Sequence, residues 1–236
     1  MEEQFTKPIS IHLPGGVNQF QHLLNQEIHN GDQALIIGPH GESIAKALLS
    51  YFANIYIITD DYDSLMQSRM KLSNMNEVKI KLMDYAHTDF DNNFFNLIYA
   101  QGSISIPTRK NILKEIKRIT TEDGLISIGE IVSLKEPVAG FVKDIWERSG
   151  LEPIASSTIN KFYEEKGFNV ISEMDYSATL NEFYNKIRLT VSEAGKEEKE
   201  QDKKYFSRMK HESNAYLKLG GDKYIGFKSL IMRKSN

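Results

Sequence analysis

Cysteine is absent from the 236-residue chain, which excludes disulfides, thiolate metal sites and a cysteine nucleophile together. No apolar run approaches the roughly 18 residues that a membrane helix requires. The opening "MEEQFTKPIS" lacks a basic stretch followed by an apolar core, so the sequence reads as cytoplasmic, with no membrane partner. A large excess of charge is missing as well. The 29 Lys and Arg against 32 Asp and Glu leave a formal charge of -3, which offers no overall attraction to nucleic acid. Internal repeats and low-complexity linkers are also lacking, and no group of residues has the spacing of a metal site.

What remains is an ordinary globular composition, 40% hydrophobic and 26% charged, enough for one large domain or a domain with an extra lobe. Phe20, Leu23, Leu24 and Ile28 fall at helical spacing after "HLPGG" and stop at "HNGD". "ALIIG", "NIYIITDD", "VKIKLMD", "FFNLIYAQG" and "GLISIGEI" read as five strands, because each is short, apolar and closed by glycine or an acid. Between them "ESIAKALLSYF", "SLMQSRMKL" and "RKNILKEIKRI" carry helical stripes. Alternation of this kind predicts an α/β fold, a doubly wound and mostly parallel sheet over residues 34–131. Residues 1–33 form an N-terminal helical segment, 132–160 and 178–219 read as a helical cap, and 220–236 supplies a closing strand. The charge run "EAGKEEKEQDKK" reads as a solvated face or hinge. Tyr205, Met209, Tyr216 and Leu219 form a stripe on the helix after it.

Ligands of such sheets sit beyond the carboxyl ends of the strands. The turn "GPHGES" ends the first strand. Gly38 and Gly41 allow backbone amides to approach a ligand, whereas Pro39 removes one donor and His40 adds bulk. A pyrophosphate-binding turn needs G-x-G-x-x-G, and this chain does not supply it. Asp60 and Asp61 close the second strand, where either carboxylate can accept from both hydroxyls of a ribose. Asp84 closes the third and can accept from an adenine amino group, with the N–H of Tyr85 donating to a ring nitrogen. Each acid taken singly is equally at home as a turn or cap residue. With the glycine turn they fall at three different strand ends of one sheet.

Two longer stretches carry a resemblance. "MDYAHTDFDNNFFNLIYAQGSIS" (83–105) is similar to D-A-x-x-L-P-F-x-D-x-S-F-D-x-V of the class I S-adenosylmethionine-dependent methyltransferases, in their small-molecule, ubiquinone/menaquinone methyltransferase-like branch. "LKEIKRITTEDGLISIGE" (113–130) resembles L-x-E-I-x-R-V-L-K-P-G-G-x-L-x-I-x-E of the same family. "HLPGG" looks like the P-G-G that precedes the first strand in some members. The resemblance implies a seven-stranded Rossmann-like sheet, S-adenosylmethionine as cofactor and methyl transfer to a small-molecule acceptor. Residues 38–41 would hold the methionine end, Asp60 the ribose, Asp84 and Tyr85 the adenine, with Gln101 and Gly102 completing the cofactor site. The chain departs from the family at Ile36, where an acid is usual, at "GPHGE", where G-x-G-x-G is usual, and at Asn96, often Asp. Those departures keep open a non-catalytic binding or regulatory protein on the same fold.

Residues that could meet an acceptor are sparser. His12, before the Pro14-Gly15-Gly16 turn, is a candidate base or a surface histidine. Tyr99 and Glu130 end the fourth and fifth strands and face either the acceptor or the interior. Trp146, in the cap, offers an aromatic wall suited to a flat, apolar or cationic acceptor, or a core contact. The cap helices read as a selector of substrate, with a homodimer contact as the competing role.

Overall fold

The computed structural model describes residues 13–26, 28, 31–194 and 202–235; side chains at 191–194, 202–206 and 208 fall outside that description. Helix α1 (Asn18–Leu24) leads into strand β1 (Gly31–Ile37). Helix α2 (Glu42–Leu48), strand β2 (Phe52–Thr59), helix α3 (Tyr62–Lys71) and strand β3 (Val78–Leu82) follow. Strand β4 (Phe95–Gln101), helix α4 (Arg109–Ile119) and the long strand β5 (Thr120–Ser133) complete the first half. The second half holds α5 (Gly140–Ser149), the two-residue β6 (Ile154–Ala155), α6 (Ile159–Glu165), β7 (Phe168–Asp175), α7 (Thr179–Ala194), α8 (Asp202–Lys218) and β8 (Ile225–Lys234).

The strands lie in the order β3-β2-β1-β4-β5-β8-β7, with β6 pairing β5 off this path. β1 to β5 are mutually parallel, and β8 runs antiparallel to both β5 and β7. The expected doubly wound, mostly parallel sheet is therefore present, seven strands along its path with β6 as a short eighth. Unbroken apolar runs such as Ala34–Ile37, buried throughout, are what a strand covered on both faces requires. On one face Leu35, Ile37, Ile98 and Ile128 pack with α4 and α6 residues such as Ile112, Ile116 and Ile159. On the other, Ala34, Ile36, Ile57 and Tyr99 pack with Phe20 and Leu23 of α1 and Ile44 and Leu48 of α2.

Two features position the candidate site. β1 lies between β2 and β4, so the chain winds one way from β1 to β3 and then crosses to the other side. The carboxyl ends of β1 and β4 thus flank the topological switch point. Second, β5 outruns its neighbour. Gln101 pairs with Gly129 at the last β4–β5 position, while Glu130 to Ser133 continue against β8. Four residues beyond the rim raise that side of the sheet by roughly 13 Å. The helical cap packs there: Val142, Ile145 and Trp146 of α5, Leu180 and Tyr184 of α7 and Tyr216 of α8 cluster on Ile131, Ile225 and Phe227. Leu219, placed by sequence on the buried stripe of α8, is 60% exposed, because the helix ends at Lys218 and the backbone turns at Gly220 with φ +82°.

Candidate active site

The glycine turn is pinned from two sides. Gly38 adopts φ +115°, a conformation open to glycine and costly to other residues. Its N–H donates to the Ile58 carbonyl at 2.9 Å, and a Cβ placed on it would lie 2.5 Å from Cβ of Ser103. Ser103 in turn donates its hydroxyl to the Ile37 carbonyl at 2.6 Å. His40 is exposed and also lies in the left-handed region, φ 63°, and Pro39 beside it is half-buried. A Cβ on Gly41 would stand 2.7 Å from Cγ2 of Ile36. Ile36, in the place of the family's acid, therefore supports the turn from beneath by contact. Glu42 follows, largely buried. Burial pushes its carboxyl up, but a 2.8 Å hydrogen bond from Ser68, its own backbone and the charges of Lys71 and His40 hold it below the usual range.

Strand β2 delivers Asp60 and Asp61, and the structure separates their duties. Asp61 caps α3: Oδ1 accepts from Asp63 N–H at 3.1 Å and Oδ2 from Ser64 N–H at 2.9 Å. Those bonds, that with Ser64 foremost, lower its pKa. Asp60 is exposed, and one oxygen, Oδ1, accepts from the Tyr85 hydroxyl at 3.0 Å. The same hydroxyl accepts the Asp60 N–H at 3.3 Å. An ionised carboxylate offers about four acceptor positions, so Asp60 is oriented with capacity to spare. Tyr85 itself is buried, and burial together with the Asp60 charge raises its pKa far above the ordinary tyrosine value. Asp84 is exposed; it accepts from Ala86 N–H at 2.8 Å and pairs with Nδ1 of His87 at 3.3 Å, and those two contacts lower its pKa.

The β4 end departs from expectation. Tyr99, read as a candidate for acceptor contact, is wholly buried between α1 and the sheet, its ring edge-on to Phe20 at 6.3 Å between centroids. Alternation along β4 explains this, since Tyr99 shares a face with Leu97 and not with Ile98 and Ala100. Gln101, read as a cofactor contact, accepts from the Tyr99 hydroxyl at 2.7 Å and donates to the carbonyls of Pro14 and Gly16 at 2.7 and 2.8 Å. Its amide thus holds the 13–16 turn against the sheet. Gly102, φ +68°, sits under that turn, with the Pro14 ring 3.3 Å from where its Cβ would be.

Glu130, read as open to acceptor or turn, is wholly buried. Its carboxylate pairs with Nε of Arg109 at 2.9 Å and accepts from the hydroxyls of Ser105 and Tyr163. Arg109 also donates to the Glu152 carbonyl, joining the loop after β4 to α6 and the cap. Trp146 is 9% exposed within the cap cluster, so its ring packs the cap interior. His12 lies outside the described residues.

Sequence reasoning missed Ser103, Ser105 and Arg109, and Tyr163, read as an aromatic of the pocket lid, is buried with its hydroxyl on Glu130. One signal was there: a glutamate inside an apolar strand demands a buried cation. Which of 29 Lys and Arg would answer it is a matter of tertiary placement.

Asp84 with Tyr85, Asp60, the glycine turn and Gly102 therefore follow one another along one rim, at the ends of β3, β2, β1 and β4, linked by the hydrogen bonds above. Residues 35–128 match the family model of a methyltransferase domain. Among solved structures, a phosphoethanolamine N-methyltransferase of Haemonchus contortus, crystallised with S-adenosylmethionine, superposes with a TM-score of 0.76 at 14% identity, over 95% of this chain and 54% of that one. A cyclopropane synthase of Mycobacterium tuberculosis gives 0.73 at 15%, over 92% and 83%. A geranyl diphosphate C-methyltransferase of Streptomyces coelicolor, holding S-adenosyl-L-homocysteine, gives 0.69 at 12%, over 92% and 78%. No curated protein matches the chain by sequence. The architecture is the class I methyltransferase fold. The cofactor that goes with this fold and domain is S-adenosylmethionine.

Proposed function

We propose that the chain is an S-adenosylmethionine-dependent methyltransferase acting on a small molecule. The observation that carries this is the Asp60 carboxylate: it stands exposed at the end of β2, is oriented by Tyr85, and lies on the same rim as a turn in which Gly38 and Gly41 have no room for a Cβ. Asp60 is the ribose acceptor, since both oxygens of Asp61 serve the α3 cap. The exposed Asp84 and the backbone at Tyr85 suit the adenine, and the 38–41 turn suits the amino-acid end. The bound cofactor supplies an electrophilic methyl group on a sulfonium. The chain's part is to align, to exclude water and to stabilise spreading charge.

The raised β5–β8 edge and its aromatic cap bound the space on the far side of Gly102, where the acceptor approaches. Several neighbours of like fold act on small molecules by name, among them those methylating phosphoethanolamine and geranyl diphosphate. The membership of the ubiquinone/menaquinone-like branch rests on the sequence resemblance. Calorimetry with S-adenosylmethionine and S-adenosylhomocysteine, followed by labelled-methyl transfer into a metabolite extract, tests the reading. Micromolar binding of both ligands with label entering a low-molecular-weight product is expected. Binding without transfer to any metabolite would favour the non-catalytic binder, and absence of binding would refute both.

A further inference from the structure

The hydrogen bonds at the end of β4 run in one direction, from the interior to the rim. The Tyr99 hydroxyl, wholly buried, donates to Oε1 of Gln101, and Nε2 of Gln101 spends its two hydrogens on the carbonyls of Pro14 and Gly16. Only one orientation of the amide satisfies all three partners, because two carbonyls require the NH2 side and a hydroxyl donor requires the oxygen. Gly15 and Gly16 take φ 83° and 53°, so the 13–16 turn presents its carbonyls inward. A Cβ on Gly15 would strike the Phe227 ring at 2.2 Å, which wedges the turn between β8 and β4. The next two residues after Gln101 reach the proposed methionine end directly. Pro14 covers Gly102, and Ser103 abuts Gly38 while bonding to Ile37. The 13–16 turn, the β4 end and the glycine turn thus form one contiguous wall.

We propose that Gln101 is a positioning residue: with Tyr99 behind it, it latches the Pro14–Gly16 turn as the wall that encloses the amino-acid end of the cofactor. This rests on the cofactor reading above and assigns the β4 glutamine a role through the turn in place of direct ligand contact. The adenosine half, held by Asp60, Asp84 and Tyr85 on the far side of β1, does not depend on the latch.

Two substitutions test it. Gln101→Met keeps size and removes all three hydrogen bonds. Gln101→Glu keeps shape but, when ionised, opposes an anion to two carbonyls; protonated, it regains one donor. Burial raises a carboxyl's pKa, so that proton returns at mildly acidic pH. Three readouts are needed: binding of adenosine, binding of S-adenosylhomocysteine, and hydrogen exchange of residues 13–24. Both variants should weaken S-adenosylhomocysteine about tenfold at pH 8 while leaving adenosine within twofold, with faster exchange in residues 13–24. Gln101→Glu should recover affinity at pH 5.5 relative to wild type, and Gln101→Met should not. Equal losses for the two ligands, no pH recovery, or unchanged exchange would overturn the latch. If the wild-type chain binds neither ligand, the cofactor reading falls and with it the enclosed ligand; exchange alone then decides whether Gln101 holds the turn.

Discussion

At the scale of single residues, adjacent acids of identical chemistry are assigned by geometry alone. Asp60 and Asp61 cannot be told apart in "ITDD", yet one carboxylate faces solvent beside a tyrosine hydroxyl and the other is folded onto the first turn of α3. Asp60→Ala should weaken S-adenosylhomocysteine by about 1–3 kcal/mol, the cost of leaving buried hydroxyls without an acceptor, with little change in melting temperature. Asp61→Ala should do the reverse, costing about 1 kcal/mol of stability through the lost cap and leaving affinity nearly intact. Paired calorimetry and thermal unfolding check both; an exchange of these outcomes would move the ribose to Asp61. What sequence made legible here was the residue type at each strand end. It could not show that Ile36 replaces an acid by packing under Gly41, because that depends on a contact between a strand and the turn it feeds.

At the scale of elements, the buried pair of Glu130 and Arg109 fastens the loop after β4 to β5, α6 and the cap. Arg109→Met removes the cation and leaves a wholly buried carboxylate, a change that costs about 3–5 kcal/mol. The double change Arg109→Met with Glu130→Gln should recover a good part of that loss in denaturant unfolding, because no buried charge remains. Equal destabilisation by single and double variants would show that packing alone matters there. A second tie joins α4 to the loop before β4. Glu115 accepts from Thr88 N–H at 2.8 Å and from Arg118 at 2.6 Å. Burial raises its pKa, but Arg118 and Thr88 more than offset this and hold it down at about 2, from an ordinary 4.5. A carboxyl depressed on folding stabilises above its unfolded pKa and loses that contribution as pH falls through the folded one. Acid unfolding between pH 4.5 and about 2 should therefore be shallower in Glu115→Gln than in wild type. Identical slopes would mean that the pair contributes nothing. Most helices and strands were readable from periodicity, but "ESIAKALLSYF" reads as one helix, while α2 ends at Leu48 and Phe52 opens β2. The length of β5 was not readable: "GLISIGEI" reads as the whole strand, while the strand runs from Thr120, which pairs with Phe95 of β4, to Val132 and Ser133, which pair with β8, a partner roughly a hundred residues distant.

At the scale of the whole molecule, one sheet places every candidate cofactor group on a single rim and raises its β5–β8 side beyond the end of β4. No helix among the described residues is long and apolar enough to cross a membrane, and no metal-binding group of His, Cys, Asp and Glu occurs among them. The family resemblance implied a seven-stranded sheet, but no local pattern showed the order of its strands or the reversal of β8 between β5 and β7. Hydrophobic runs specify that strands exist, and loop lengths and burial on both faces decide which lie side by side. The cap rings proved to pack in a buried cluster with one another and with aliphatic side chains, as the Tyr184–Tyr216 stack at 4.4 Å beside Leu180 illustrates.

Mapping the backbone-amide NMR shifts caused by S-adenosylhomocysteine tests the central claim most directly. Saturable shifts at Gly38, Gly41, Asp60, Tyr85 and Gly102, with β7 unmoved, are predicted. Shifts centred elsewhere, or none at millimolar ligand, would contradict it.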